Sequence, residues 1–225
     1  MLLAIALCPL FAGDAARPKI EILQPGVFHG GEVAAKSGER WTGLVKVGSQ
    51  FRWRETTLRV RAVHDEIGDA AGENTGQEVS VPGPTPLFLV RGLGRLAGHK
   101  VTPVFQNEEP QEFPKDDEWK LPFGGSTALL RIINRPPDGQ YDATRTTFLI
   151  LQIGDQIQTL YRWEGGLDDQ HCELQWAGDL DGDGKLDLVM NLSDHYNKSE
   201  LTLFLSAGAG GYLVKKVSSF CTVGC

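Results

Sequence analysis

The run DLDGDGKLD, from Asp179 to Asp187, constrains this chain more than any other feature, because it is set between two apolar, strand-like segments. Its carboxylates fall at relative positions 1, 3, 5 and 9, namely Asp179, Asp181, Asp183 and Asp187, with Gly184 at position 6. Alternation lets the first three carboxylates converge as the backbone curls, and the glycine permits a sharp turn. The Lys185 carbonyl can then ligate while its side chain reaches solvent. Hard carboxylate and carbonyl oxygens in a flexible arrangement of about 6 to 8 ligands favour Ca²⁺ over softer metals. Carboxylates crowded this closely repel one another, so cation binding is expected to order the loop and the strands beside it. An EF-hand is a poor fit, since position 12 is Met190 rather than Glu, and CELQWA before the loop and LDLVMNL after it have strand character. Asp187 is therefore expected to supply the last carboxylate. The expected ligand set is Asp179, Asp181, Asp183, Lys185 and Asp187.

The remainder of the chain reads as short β-strands punctuated by many turns, in keeping with 27 glycines and 12 prolines in 225 residues. Between Trp41 and Val63 the residues WTGLVKVGSQFRWRETTLRVRAV break at Gly48 and Ser49, which predicts a hairpin or two adjacent strands. Thr146 to Ile153 and Gln156 to Trp163 are two β-like runs either side of Gly154 and Asp155, a second hairpin. Further strands are expected at Ser126 to Ile133, Cys172 to Ala177, Leu186 to Leu192, Leu201 to Leu205 and Tyr212 to Phe220. The carboxylate-rich, proline-interrupted stretch from Glu108 to Glu118 reads as a solvated junction, and RPPDG from Arg135 to Gly139 as a turn. The expected organisation is a signal peptide over 1–16, an N-terminal β-rich region over 17–118 and a C-terminal β-module over 119–225. The fold class is all-β with antiparallel sheets.

WAGDLDGDGKLDLVM, followed by LTLFLS and a glycine turn, resembles the FG-GAP or VCBS type of repeat found in integrin α-subunit propellers and in many secreted bacterial proteins. The likeness runs over Leu174 to Leu205 and rests on Asp179, Asp181, Asp183, Gly184 and Asp187. Relatives carry several tandem copies, each a blade or part of one, whereas a single metal loop occurs here. The resemblance therefore implies one calcium-stapled, blade-like β-module joined to another β-domain, not a complete propeller.

The apolar start, from Met1 through Ala12, is too short to span a bilayer and looks like the remainder of an export signal, although no Lys or Arg precedes it. Cleavage after Ala12 or Ala16 would leave a chain beginning near Arg17. A lipoprotein signal built on Cys8 is a poor match, because Leu7 precedes it. Without Cys8, three cysteines remain. Cys172 is expected to pair with Cys225, the alternative pairing through Cys221 staying open. Secreted or periplasmic localisation follows as the expectation.

Acidic residues outnumber basic ones, 29 to 22, for a formal net charge of -7, which offers no general surface for nucleic acid. GxSxG, HExxH and GxxxxGK patterns do not occur. His171 and Cys172 are adjacent, so on a strand they face opposite ways and form no catalytic dyad. His195 beside Asp194 reads as part of a polar turn. His29 and His99 have no acidic neighbour in sequence, and His64 precedes Asp65 and Glu66 at a strand end. Trp53, Trp163 and Trp176 lie in β-like runs where core packing is the default, and Tyr196 is among the aromatics able to stack on a sugar. Arg52, Arg54, Arg59 and Arg61 alternate with apolar residues as on a half-solvated sheet.

These observations describe a calcium-stabilised interaction or binding module for a protein or glycan ligand, with no membrane span. The alternative is a calcium-dependent extracellular hydrolase of a polymeric substrate. No residue is expected to be catalytic.

Overall fold

The computed structural model describes residues 19–94, 96, 98, 100–104, 111–112, 118–135, 146–164 and 171–224. The expected export signal, Cys8, Cys225, His99, the turn at 136–139 and most of the carboxylate-rich junction lie outside the described residues. The first half holds β1 (Glu21–Leu23), β2 (Gly26–Phe28), β3 (Arg40–Val47), β4 (Gln50–Thr57), β5 (Arg59–Val63), β6 (Gly76–Ser80), β7 (Leu89–Arg91) and β8 (Lys100–Val101). The second holds β9 (Gln111–Glu112), β10 (Glu118–Phe123), β11 (Ser126–Arg135), β12 (Thr146–Ile153) and β13 (Gln156–Glu164). It ends with β14 (His171–Gly178), β15 (Asp187–Ser193), β16 (Lys198–Leu205) and β17 (Lys215–Val223).

The strands form four antiparallel sheets. A first sheet has the order β1-β7-β3-β4-β8, a small sheet β2-β6-β5, a meander β10-β11-β12-β13, and a central sheet β17-β16-β15-β14-β9. The hairpins expected at Gly48 and Gly154 are the β3–β4 and β12–β13 turns, and both glycines adopt positive φ. Among the described residues, no closed barrel, repeat or blade arrangement is found.

The central sheet owes its position to strands that are apolar on both faces. Leu188, Met190 and Leu192 of β15 join Leu130, Leu149, Leu151 and Trp163 of the meander in one core. Val189, on the opposite face, joins Leu201, Leu203 and Leu205 of β16 against Phe51, Trp53 and Phe88 of the first half. Successive side chains of a strand point to opposite faces, so this division follows from the consecutive apolar residues Leu188, Val189 and Met190 of β15. A bulge in β14 between Leu174 and Trp176 adds to it. Leu174 faces the meander, and the bulge turns Trp176 to the other face, where it meets Phe51 edge-on at 4.7 Å. A third cluster, including Leu23, Trp41, Leu58 and Val79, joins the small sheet to the first.

Candidate cation site

The loop of 179–186 is the connection of the β14–β15 hairpin, with Gly178 and Asp187 facing each other across its base. Its two leucines fasten it on opposite sides. Leu180 is buried in the core shared with the first sheet and Leu186 in the core shared with the meander. The Trp53 indole N–H donates to the Leu180 carbonyl at 2.8 Å, so the first half of the chain holds the loop directly. Gly184 has φ of 79°, the left-handed conformation that its place in the motif predicts.

Carboxylate oxygens of Asp179, Asp181 and Asp187 all lie within 4.8 Å of one another. Two oxygens bound to one Ca²⁺ at about 2.4 Å can be no more than about 4.8 Å apart, so this grouping can hold a divalent cation. Backbone N–H groups orient each carboxylate: Gly182 and Gly184 donate to Asp179 at 2.7 and 2.9 Å, Asp183 to Asp181 at 3.2 Å, and Leu180 to Asp187 at 2.8 Å. Asp187 is fully buried. Ser206, just past β16, donates to it from both its backbone N–H, at 2.8 Å, and its hydroxyl, at 2.9 Å.

Asp183 stands outside that trio. Both its oxygens lie beside the Ser206 hydroxyl, at 3.1 and 3.0 Å, and it accepts the Lys185 N–H at 2.8 Å. Lys185 is exposed at the tip of the loop. Ser206 is the participant that sequence reasoning missed. It follows a strand outside the motif, and only the β15–β16 pairing brings it to the loop.

The site is electrostatically tense. Burial pushes the Asp187 carboxyl up to about 7, opposed by the hydrogen bonds from Ser206 and Leu180. Burial and then the neighbouring Asp183 charge raise Asp181 as well. A cation placed among these oxygens would relieve both effects.

The cysteine expectation is corrected. Cys172 and Cys221 are free thiols, and no disulfide is present among the described residues. Cys172 lies on β14 and packs into the meander core, while Cys221 is exposed on β17 at the far side of the sheet. Three inter-strand spacings of about 4.8 Å separate those strands, roughly 14 Å, against the ~7 Å limit for bridged Cα atoms. Cys172 is instead a small apolar core residue, and burial pushes its thiol up to about 12.

The remaining candidates sort by contact. Asp194 pairs with Lys198 at 3.0 Å, and His195 lies in the β15–β16 turn with its ring edge-on to Tyr196. Trp53, Trp163 and Trp176 are buried, whereas Tyr196 is exposed. Arg61 is paired with Glu78, and Arg52 bonds Gln50. His29, without an acidic neighbour in sequence, has one in space: its Nδ1 lies 2.8 and 2.9 Å from the two oxygens of Asp65. This bond raises the His29 pKa and lowers that of Asp65.

No helix among the described residues is long and apolar enough to cross a membrane. Comparison with family models, with curated proteins and with solved structures finds no match to this chain.

Proposed function

We propose that the Asp179 to Asp187 loop is a structural Ca²⁺ site of the FG-GAP or VCBS type, in a secreted or periplasmic protein that acts as an interaction or binding module. The carrying observation is the approach of Asp179, Asp181 and Asp187 within 4.8 Å on a loop pegged into two cores. An all-oxygen donor set suits a hard cation, and the Asp183 carboxylate and Lys185 carbonyl complete the ligands that the motif implies. A staple role is favoured over catalysis because Asp187 is buried and its carboxylate is already committed to Ser206 and Leu180. A bound ion would tie β14, β15 and the end of β16 together.

The test is calorimetric titration of metal-free protein with Ca²⁺, Mg²⁺ and Zn²⁺, followed by thermal melts. Saturable Ca²⁺ binding with a raised Tm is expected, and a preference for Zn²⁺ or no binding by any of the three would overturn the reading. Export is tested separately, by fractionating cells that express the full chain. Accumulation in the cytoplasm would count against secreted or periplasmic placement.

A further inference from the structure

Away from the loop, a cavity of about 430 Å³ opens between the small sheet and the β15–β16–β17 end of the central sheet. A second, of about 600 Å³, shares His29, Asp65, Ile67, Val223 and Gly224 with it, so the two form one trough passing the His29–Asp65 pair. That pair is built rather than incidental. Asp65 is buried and accepts the Ile67 and Gly68 N–H groups at 3.1 and 3.3 Å. It holds the imidazole by Nδ1, and His29 lines both cavities.

Two properties define what fits. The wall is acidic: Glu32, Asp65, Glu66 and Glu173 line the first cavity, against Lys198, whose ammonium pairs with Asp194 at 3.0 Å, and two imidazoles, His64 and the His29 that Asp65 already holds. The wall is also apolar at its rim. Among the described residues, four of the eight exposed large hydrophobic side chains, Val27, Ile67, Tyr196 and Val223, line this one cavity. Their concentration at a concave surface marks a binding site rather than scattered surface.

We infer that this trough docks a basic, apolar peptide segment of a partner protein. A Lys or Arg side chain of the segment is drawn to Glu66 and Glu173, and its apolar side chains lie on Val27, Ile67 and Val223. Two adjoining cavities with a shared wall suit a segment of several residues rather than a single small molecule. Three of the four rim residues are aliphatic, which favours peptide side chains over sugar rings, since sugars stack on aromatic faces. The inference rests on the reading of the protein as a binding module, but not on the bound ion.

The experiment uses the full chain in Ca²⁺ and a fluorescent, end-blocked peptide of alternating leucine and lysine. Its counterpart of alternating leucine and glutamate and a cello-oligosaccharide serve as competing probes. The basic peptide should bind saturably, and Glu66→Lys and Ile67→Asp should each weaken it by about tenfold or more. Both positions are exposed, so folding is not at stake, and melts of the variants verify this. Val47→Asp, on the β3–β4 hairpin and lining neither cavity, should leave binding unchanged. Binding that survives both trough variants overturns the site while leaving a binding module intact. Preference for the acidic peptide or the oligosaccharide overturns the ligand class, and no binding by any probe overturns the inference without touching the Ca²⁺ result.

Discussion

Ser206 holds the carboxylate of Asp187 through two donors of one residue, its backbone N–H at 2.8 Å and its hydroxyl at 2.9 Å. The last carboxylate of the loop is thereby tied to the end of β16 rather than to its own hairpin alone. Ser206→Ala keeps the backbone donor and removes the hydroxyl. We expect a loss of about 1–2 kcal/mol in stability, measured by urea denaturation, and a change within error would show that the hydroxyl is replaced by solvent.

Cation binding should depend on the loop carboxylates and not on the Lys185 side chain. Asp181→Ala and Asp187→Ala should each weaken Ca²⁺ binding and reduce the rise in Tm that Ca²⁺ produces, which at a hundredfold excess over Kd corresponds to about 2.7 kcal/mol. Lys185→Ala should change little, because its side chain is exposed. Equal effects from all three substitutions would sink the ligand assignment.

The acidity of the loop sets a pH dependence with a definite sign. Asp187 is raised to about 7 by burial, above the ~3.9 of an unfolded aspartate, so between those values the folded ion-free chain holds the extra proton. Ion-free stability from this group therefore falls as pH rises from about 4 to about 7, and levels beyond. Saturating Ca²⁺ replaces the proton, so the Ca²⁺-dependent rise in Tm should grow between about pH 4 and about pH 7. Melts of metal-free and Ca²⁺-loaded protein across that range check this, and a constant increment would contradict it.

The two described cysteines should differ in reactivity. Cys221 is exposed on β17, whereas Cys172 is buried with its thiol raised to about 12. Thiolate is the reactive form, so iodoacetamide should label Cys221 in the native protein and Cys172 only after unfolding. Peptide mass spectrometry reads the difference, and comparable native labelling would contradict the packing of Cys172.

The Trp53 indole joins the loop to the first sheet. Trp53→Phe removes its bond to the Leu180 carbonyl and should cost about 1 kcal/mol from the hydrogen bond, with a further packing loss. A larger fall in Ca²⁺ affinity than in Asp181→Ala would mean that the indole positions the ligands.

Much of this was legible in residue order. Gly48 and Gly154 marked their hairpins, the tryptophans of β4, β13 and β14 are core, and the spacing of Asp179, Asp181 and Asp187 anticipated their approach. What escaped depends on contacts between distant segments. Ser206 and the His29–Asp65 pair are made by strand pairing across 19 and 36 positions, and no local pattern encodes them. The Cys172 disulfide failed for a related reason: residue spacing says nothing of how many strands separate two thiols.

The last strands of the chain, β14 to β17, form the middle layer, with both cores completed on their two faces. A growing polypeptide therefore exposes the strands of its outer sheets before the layer that covers their apolar sides has been made. Truncation anywhere before β15 would remove the shared wall of both halves at once, so such fragments should be recovered as aggregates rather than as smaller folded units.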